Sequence, residues 1–255
     1  MIYEISGSPS VSALFGKWDE TILWSCLQGV MGNLFATEKH HPASAMAMLG
    51  DFAFFAGKTD EELIAFRPEW RQKDFMILIP QNESWKNAIL KHYGNRAKSV
   101  PRYATKKESG IFHPEKLKQI VSLLPAGYEL CRIDEPLYHM CKANSWSMDL
   151  VSQFTDYEAY RRLGLGAAVK KGNRLISGAS SYSRYRDGIE IEIDTYREYR
   201  RNGFARICAA KLILECLKRN WYPAWDAQNK ASLSLAEQLG YHYSHTYEAI
   251  ELWGY

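Results

Sequence analysis

Residues 200–205, Arg-Arg-Asn-Gly-Phe-Ala, join a strand-like segment to a helix-like one, and that join constrains the fold more than any other part of the chain. Upstream, Ile189, Ile191 and Ile193 alternate with Glu190, Glu192 and Asp194, the period of a strand with one apolar face. Downstream, Ile207, Ala210, Ile213, Leu214 and Leu217 recur along one side of a helix expected over residues 204–219. Strand, short basic turn and helix together make an anion site. The first N–H groups of a helix have no partner inside it, and the helix dipole adds partial positive charge there. Gly203 leaves those N–H groups uncovered, while Arg200 and Arg201 add charged donors.

The flanking sequence extends the pattern. Residues 222–227 are a short apolar run read as a strand, Asn229 precedes a helix over residues 230–239, and Gly240 closes it. Before the basic turn, residues 164–169 and 175–182 are strand-like, joined by a tight Lys171-Gly172-Asn173 turn, and Arg186-Asp187-Gly188 punctuates the next connection. Three successive antiparallel strands, the last feeding the turn, are therefore expected. A dinucleotide-binding βαβ unit would need three glycines at Gly-x-Gly-x-x-Gly; only one is present, and that reading is set aside.

Arg200, Gly203 and Ala205 satisfy the Gln/Arg-x-x-Gly-x-Gly/Ala pattern, and Ile193-Asp194-Thr195, Trp225-Asp226-Ala227-Gln228-Asn229 with Ser232, and Leu239-Gly240-Tyr241 accompany it. From about residue 128 onward the chain resembles the GNAT superfamily of acyl-CoA-dependent N-acyltransferases, in particular a bacterial branch that includes zwittermicin-resistance acetyltransferases. The resemblance implies an α/β (α+β) fold with a mixed sheet flanked by helices, and acetyl-CoA as co-substrate. It implies pyrophosphate at Arg200, Arg201, Asn202, Gly203, Phe204 and Ala205. It further implies main-chain contacts to the acetyl and pantetheine groups from Ile193, Asp194 and Thr195, and pantetheine contacts from Asn229 and Ser232.

Acyl transfer to an amine needs a base to take a proton from it, and a donor for the thioester oxygen. Glu190, Glu192 and Asp194 share one face of the strand that would pass beside the thioester; Glu192 is the first choice as base and Glu190 the second. Many members of the superfamily carry a tyrosine four residues before the glycine that ends the later helix. Here that position is Ala236.

An acetyltransferase domain accounts for residues 126–255 and leaves 1–125 as a smaller mixed α/β domain, possibly a degenerate copy of the same fold. In it we expect a helix near residues 19–35, a hairpin over 45–49 and 52–56, a strand over 75–79 and a helix over 83–93; residues 106–124 read as a connection. The 46% hydrophobic and 24% charged content is that of an ordinary globular chain. No apolar run reaches the roughly 18 residues of a membrane span, and the first residues lack the basic start and apolar core of a signal peptide. Five scattered cysteines fit reduced thiols in the cytoplasm. His40-His41 and His242-x-x-His245 do not have metal-site spacing, so no metal is expected. The basic segment from Lys91 to Lys107 reads as a solvated loop and helix end, and a net charge of +3 does not argue for nucleic acid. Three activities stay open: acetyl transfer to a small-molecule or protein amine, non-catalytic acyl-CoA binding, and a tandem-fold aminoacyltransferase using transfer RNA. Acceptor and oligomeric state are not readable.

Overall fold

Asn82 and Asn229 perform the same task 147 positions apart, 229 − 82. Each follows a strand, takes up extended backbone and accepts a hydrogen bond from the N–H three residues on, Trp85 and Ser232 respectively, so each starts a helix. They are corresponding points in an order of elements that occurs twice in a computed structural model describing all 255 residues. The first series is β1 (Tyr3–Ile5), α1 (Pro9–Phe15), α2 (Thr21–Leu27), β2 (Asn33–Ala36), β3 (Ser44–Leu49), β4 (Phe52–Gly57), α3 (Glu61–Ala65), β5 (Phe75–Pro80), α4 (Glu83–Tyr93) and β6 (Ala97–Thr105). A helix α5 (Pro114–Ser122) follows. The second series is β7 (Glu129–Arg132), α6 (Glu135–Lys142), α7 (Tyr157–Leu163), β8 (Gly166–Lys171), β9 (Arg174–Tyr185) and β10 (Gly188–Thr195). It continues with α8 (Phe204–Leu217), β11 (Tyr222–Ala224), β12 (Asp226–Ala227), α9 (Lys230–Leu239) and β13 (Tyr243–Trp253). In each series the middle three strands are antiparallel, and the next strand returns parallel after a helix.

Two compact units result: residues 1–102 with 246–255, and residues 103–245. The expected division at residue 125 places 103–125 with the first domain. In the structure those residues belong to the second unit, where Leu117 and Ile120 of α5 pack against α8.

In the first unit, β1 to β4 form an antiparallel meander, β5 joins β4 in parallel, and the C-terminal strand β13 lies between β5 and β6, with Ile250 opposite Leu78 and Trp253 opposite Phe75. Every residue of β3 is buried, which explains its unbroken run of small and apolar side chains. Met46, Met48, Phe55, Trp85, Ile89 and Ile250 lie in one core; each contributes about 1.5–3 kcal/mol by leaving water. The hairpin, the strand over 75–79 and the helix over 83–93 form as expected. The helix over residues 19–35 does not. It stops at Leu27, because Gly29 and Gly32 take left-handed φ of 65° and 83°, and β2 follows. At Gly32 a Cβ would lie 2.7 Å from the Met48 carbonyl oxygen, so only glycine fits this turn. The basic segment is likewise not a loop: most of it is β6, with Arg102 buried over the Phe52 ring.

In the second unit, α8 is the centre. Ile207, Cys208, Leu212 and Ile213 pack on Val169, Ala179, Ile189 and Ile191 of the sheet. On the other sheet face, Gly178 makes room for Leu150: a Cβ there would lie 2.5 Å from a Leu150 methyl. Ser180 on the same strand bonds the buried Tyr160 hydroxyl of α7 at 2.9 Å. No helix of the chain is long and apolar enough to cross a membrane.

Candidate active site

β10 and β11 pair for three residues only, from Gly188 opposite Tyr222 to Glu190 opposite Ala224. The chain then leaves through the buried Trp225, and Asp226 and Ala227 pair instead with Ala104 and Tyr103 at the end of β6. Residues 191–195 run on beside β9 with no strand on their other side. Glu190 holds the fork: it is 5% exposed, and its Oε1 accepts the Asp226 N–H at 2.7 Å. A bulge sits at the same level, where Tyr182 is extra between Ser183, opposite Glu190, and Ser181, opposite Ile191. In the first unit the equivalent strands stay zipped from Phe52–Ile77 to Phe55–Pro80, and the Gln81 side chain accepts the Gly57 N–H at 3.0 Å. Only the second series is open here.

The alternation along β10 sorts its side chains. Ile189, Ile191 and Ile193 pack toward α8. Glu192 and Asp194 are opposite Ser180 and Gly178, hence on the face of α6, α7 and the 3-10 turn Met148–Leu150. This is a covered face, not a solvated edge. Glu192 is half-buried and its Oε1 accepts the N–H of Ile193 at 3.1 Å. Asp194 is half-buried; burial foremost, then the charge of Asp149, push its carboxyl up to about 7, with Arg200 pulling the other way. Its carbonyl accepts the Ser177 hydroxyl at 3.0 Å. Nothing local in the sequence ties Asp149, 45 positions away, to this strand.

The basic turn follows. After a 3-10 turn, Arg197–Tyr199, Arg200 folds back so that its Nε donates to the Thr195 carbonyl at 3.2 Å, and Asn202 Nδ2 donates to the Arg200 carbonyl. Arg201 is held at φ 63°, a conformation that costs a non-glycine residue of order 1 kcal/mol and tends to persist at functional sites. Gly203, at φ 82°, is the N-cap of α8; no side chain caps the helix, and nothing lies within 4 Å of where a Cβ would be. Arg200, Arg201, Asn202 and Gly203 are all exposed, Ala205 is half-buried, and the buried Phe204 anchors the turn against Tyr128. The corresponding helix of the first series, α3, is the opposite. Asp60 caps it with a carboxylate, and Glu61 and Glu62 occupy its first turn. An anion is repelled at α3 and welcomed at α8. The residues around Gly203 therefore fit the diphosphate of a CoA thioester.

The sequence profile of GNAT acetyltransferases matches residues 12–250. The chain belongs to the GNAT acetyltransferase family. The match extends well beyond the region from residue 128 in which the resemblance was legible. A Bacillus subtilis protein described as the uncharacterized N-acetyltransferase YdfB is 26% identical over 242 residues, covering 88% of this chain and 87% of the relative. A GCN5-related N-acetyltransferase-like protein from Streptococcus suis is 42% identical with a TM-score of 0.89, covering 95% of this chain and 96% of that one. A tandem GNAT protein from the clavulanic acid biosynthesis pathway shares the fold across 100% of this chain and 99% of its own, with a TM-score of 0.51 at 9% identity.

Against the usual GNAT pattern, the second helix after the fork is the part that differs. Asn229 Oδ1 is spent capping α9 through the Ser232 N–H at 2.9 Å, leaving its exposed Nδ2. Ser232 Oγ accepts the Trp225 indole N–H at 3.1 Å and so fixes the start of the fork. Ala236 is fully buried, and Tyr241, the next tyrosine, is buried and donates to the Pro223 carbonyl. Tyr243 is 40% exposed. A family that transfers acyl groups from CoA thioesters is thus represented here without a tyrosine at the customary position for protonating the thiolate.

Proposed function

We propose that this protein transfers an acetyl group from acetyl-CoA to a primary amine by direct attack of the amine on the thioester. The observation that carries the reading is the uncapped, arginine-flanked N-terminus of α8, which follows β10 after that strand has parted from β11 beyond Glu190. CoA diphosphate binds Arg200, Arg201, Asn202, Gly203, Phe204 and Ala205; the pantetheine arm lies along residues 193–195, with Asn229 Nδ2 contributing. Glu192 takes a proton from the amine, directly or through water. The nitrogen lone pair attacks the thioester carbon, and the carbonyl oxygen, now an oxyanion, is held by the Ile193 N–H. The C–S bond then breaks, sulfur leaves with the electron pair, and the thiolate gains a proton from solvent. Glu190 is a positioning residue in this scheme, because its carboxylate already holds Asp226.

Ala236 supports a second reading, acyl-CoA binding without chemistry. Incubating the protein with acetyl-CoA and a broad panel of amines while following free thiol separates the two. Amine-dependent thiol release supports transfer; binding without release supports the second; absence of binding removes both. Kinship with the zwittermicin-resistance branch and a cytoplasmic location belong to this proposal also.

A further inference from the structure

β9 carries four buried serines, Ser177, Ser180, Ser181 and Ser183, and three of them spend their hydroxyls within the fold. Ser177 bonds the Asp194 carbonyl at 3.0 Å and the Thr195 hydroxyl at 2.7 Å. Ser180 bonds the Tyr160 hydroxyl at 2.9 Å and the Leu165 carbonyl at 3.3 Å, and Ser181 accepts the Leu165 N–H at 2.9 Å. Ser183 is fully buried, and its hydroxyl has no partner. Buried polar groups are nearly always hydrogen-bonded, so this exception needs a cause. Its position supplies one. Ser183 is opposite Glu190 and Ser180 is opposite Glu192, and residues opposite each other in a ladder share a face. In a regular strand Ser180 and Ser183 would point to opposite faces; the extra residue Tyr182 brings both to the face of the two glutamates.

Glu192 is the carboxylate that needs a second donor. At rest its Oε1 accepts the Ile193 N–H, the group assigned above to the thioester oxygen. Once an acyl carbonyl takes that N–H, the carboxylate must turn away, and a half-buried anion is costly unless another donor receives it. We infer that Ser183 is this donor: its hydroxyl donates to the Glu192 carboxylate when acetyl-CoA is bound, an assignment that rests on the acetyl-transfer reading above. Diagonal neighbours on paired strands have Cβ atoms about 7–8 Å apart, a span that a glutamate and a serine close with one hydrogen bond. The bond keeps the carboxylate ionised, ready for the amine proton, and leaves the Ile193 N–H to the acyl oxygen. Ser183 touches neither substrate nor CoA in this scheme. It is a positioning residue that acts through Glu192.

Steady-state kinetics and thermal melts of Ser183→Ala, Glu192→Gln and the double variant test this on the full chain. Ser183→Ala should lower turnover by roughly 10- to 100-fold, the worth of one hydrogen bond to a charged group, and leave the Michaelis constant for acetyl-CoA near wild type. It should melt no lower than wild type, because the hydroxyl has no bond to lose in the resting fold. In a Glu192→Gln background the same substitution should cost no further turnover, since Ser183 acts only through the carboxylate. A Ser183→Ala protein with wild-type turnover overturns the inference while the acetyl-transfer reading stands. So does one that melts well below wild type, or one whose loss adds in full to that of Glu192→Gln. A wild type that binds acetyl-CoA but releases no thiol with any amine overturns the transfer reading and this inference together.

Discussion

The N–H of Ile193 donates to Oε1 of Glu192 at 3.1 Å, so the group suited to holding a thioester oxygen is covered by the carboxylate suited to taking the amine proton. In the proposed mechanism an acyl carbonyl that claims this N–H would displace the carboxylate and free Glu192 to act as the base. Glu192→Gln keeps shape and hydrogen bonding but cannot accept the proton. Turnover should fall by about 10²–10⁴-fold at neutral pH, and the deficit should shrink as pH rises, with acetyl-CoA affinity nearly unchanged. Steady-state kinetics across pH reads this; unchanged turnover would place the base elsewhere, and the same loss in Glu190→Gln alone would move it two residues up the strand.

Gly203 is exposed and borders open space, so an added side chain there disturbs no packing. Gly203→Asp brings negative charge to the anion site and forces a left-handed φ on a non-glycine residue. Acetyl-CoA affinity should drop by more than about 10-fold, ~1.4 kcal/mol, in a protein that still folds. Asp60→Ala at the corresponding helix of the first series is the control. It should cost about 0.5–2 kcal/mol of stability as a lost cap and leave affinity alone. Calorimetry and thermal melts of both variants would refute the assignment if Gly203→Asp bound normally.

Asn229 has two roles that two substitutions separate. Asn229→Ala removes both the cap and the exposed amide, so stability should fall by about 1 kcal/mol and the Michaelis constant for acetyl-CoA should rise. Asn229→Asp retains a capping oxygen and loses the amide donor. Its melting temperature should match the wild type while its Michaelis constant rises; normal kinetics in Asn229→Asp would leave the cap as its sole role.

Asp194 carries a pH signature of its own. Its carboxyl titrates near 7 in the fold, against an ordinary value of 3.8, because of burial and the neighbouring Asp149. The folded state thus keeps a proton that the unfolded chain has already released between about pH 4 and 7. The stability linked to that proton is fully present below pH 4 and is lost as pH rises through 7. Asp194→Asn removes the penalty of ionising the site. Relative to wild type it should gain nothing near pH 4 and gain a melting temperature of about 2–4 °C by pH 8, the shift for ~1 kcal/mol in a chain of this size. Melts at pH 4, 6 and 8 that run parallel for the two proteins would contradict this.

What the sequence by itself determined lies within a few residues of its cause. Asn82 and Asn229 start helices because a short carboxamide reaches the N–H three residues on, and Gly203 opens a helix end because it has no Cβ. The isoleucines of β10 turn to the core because strand side chains alternate. These signals made the hairpin at residues 44–57, α4, the three antiparallel strands and the basic turn before α8 legible. Tertiary structure decided the rest. A helix expected to residue 35 ended at Leu27 because β3 needed a neighbouring strand and two glycines allowed the turn. The C-terminal strand joined β5, some 170 residues earlier, and so placed residues 246–255 in the first unit. The fork opened because Asp226 and Ala227 found partners in β6 and not in β10, and Asp194 became unusual only when folding buried it and set Asp149 beside it. Caps, turns and alternation are short-range physics written into neighbouring residues; strand partners and charge pairs form between residues the chain keeps far apart, and only packing selects them.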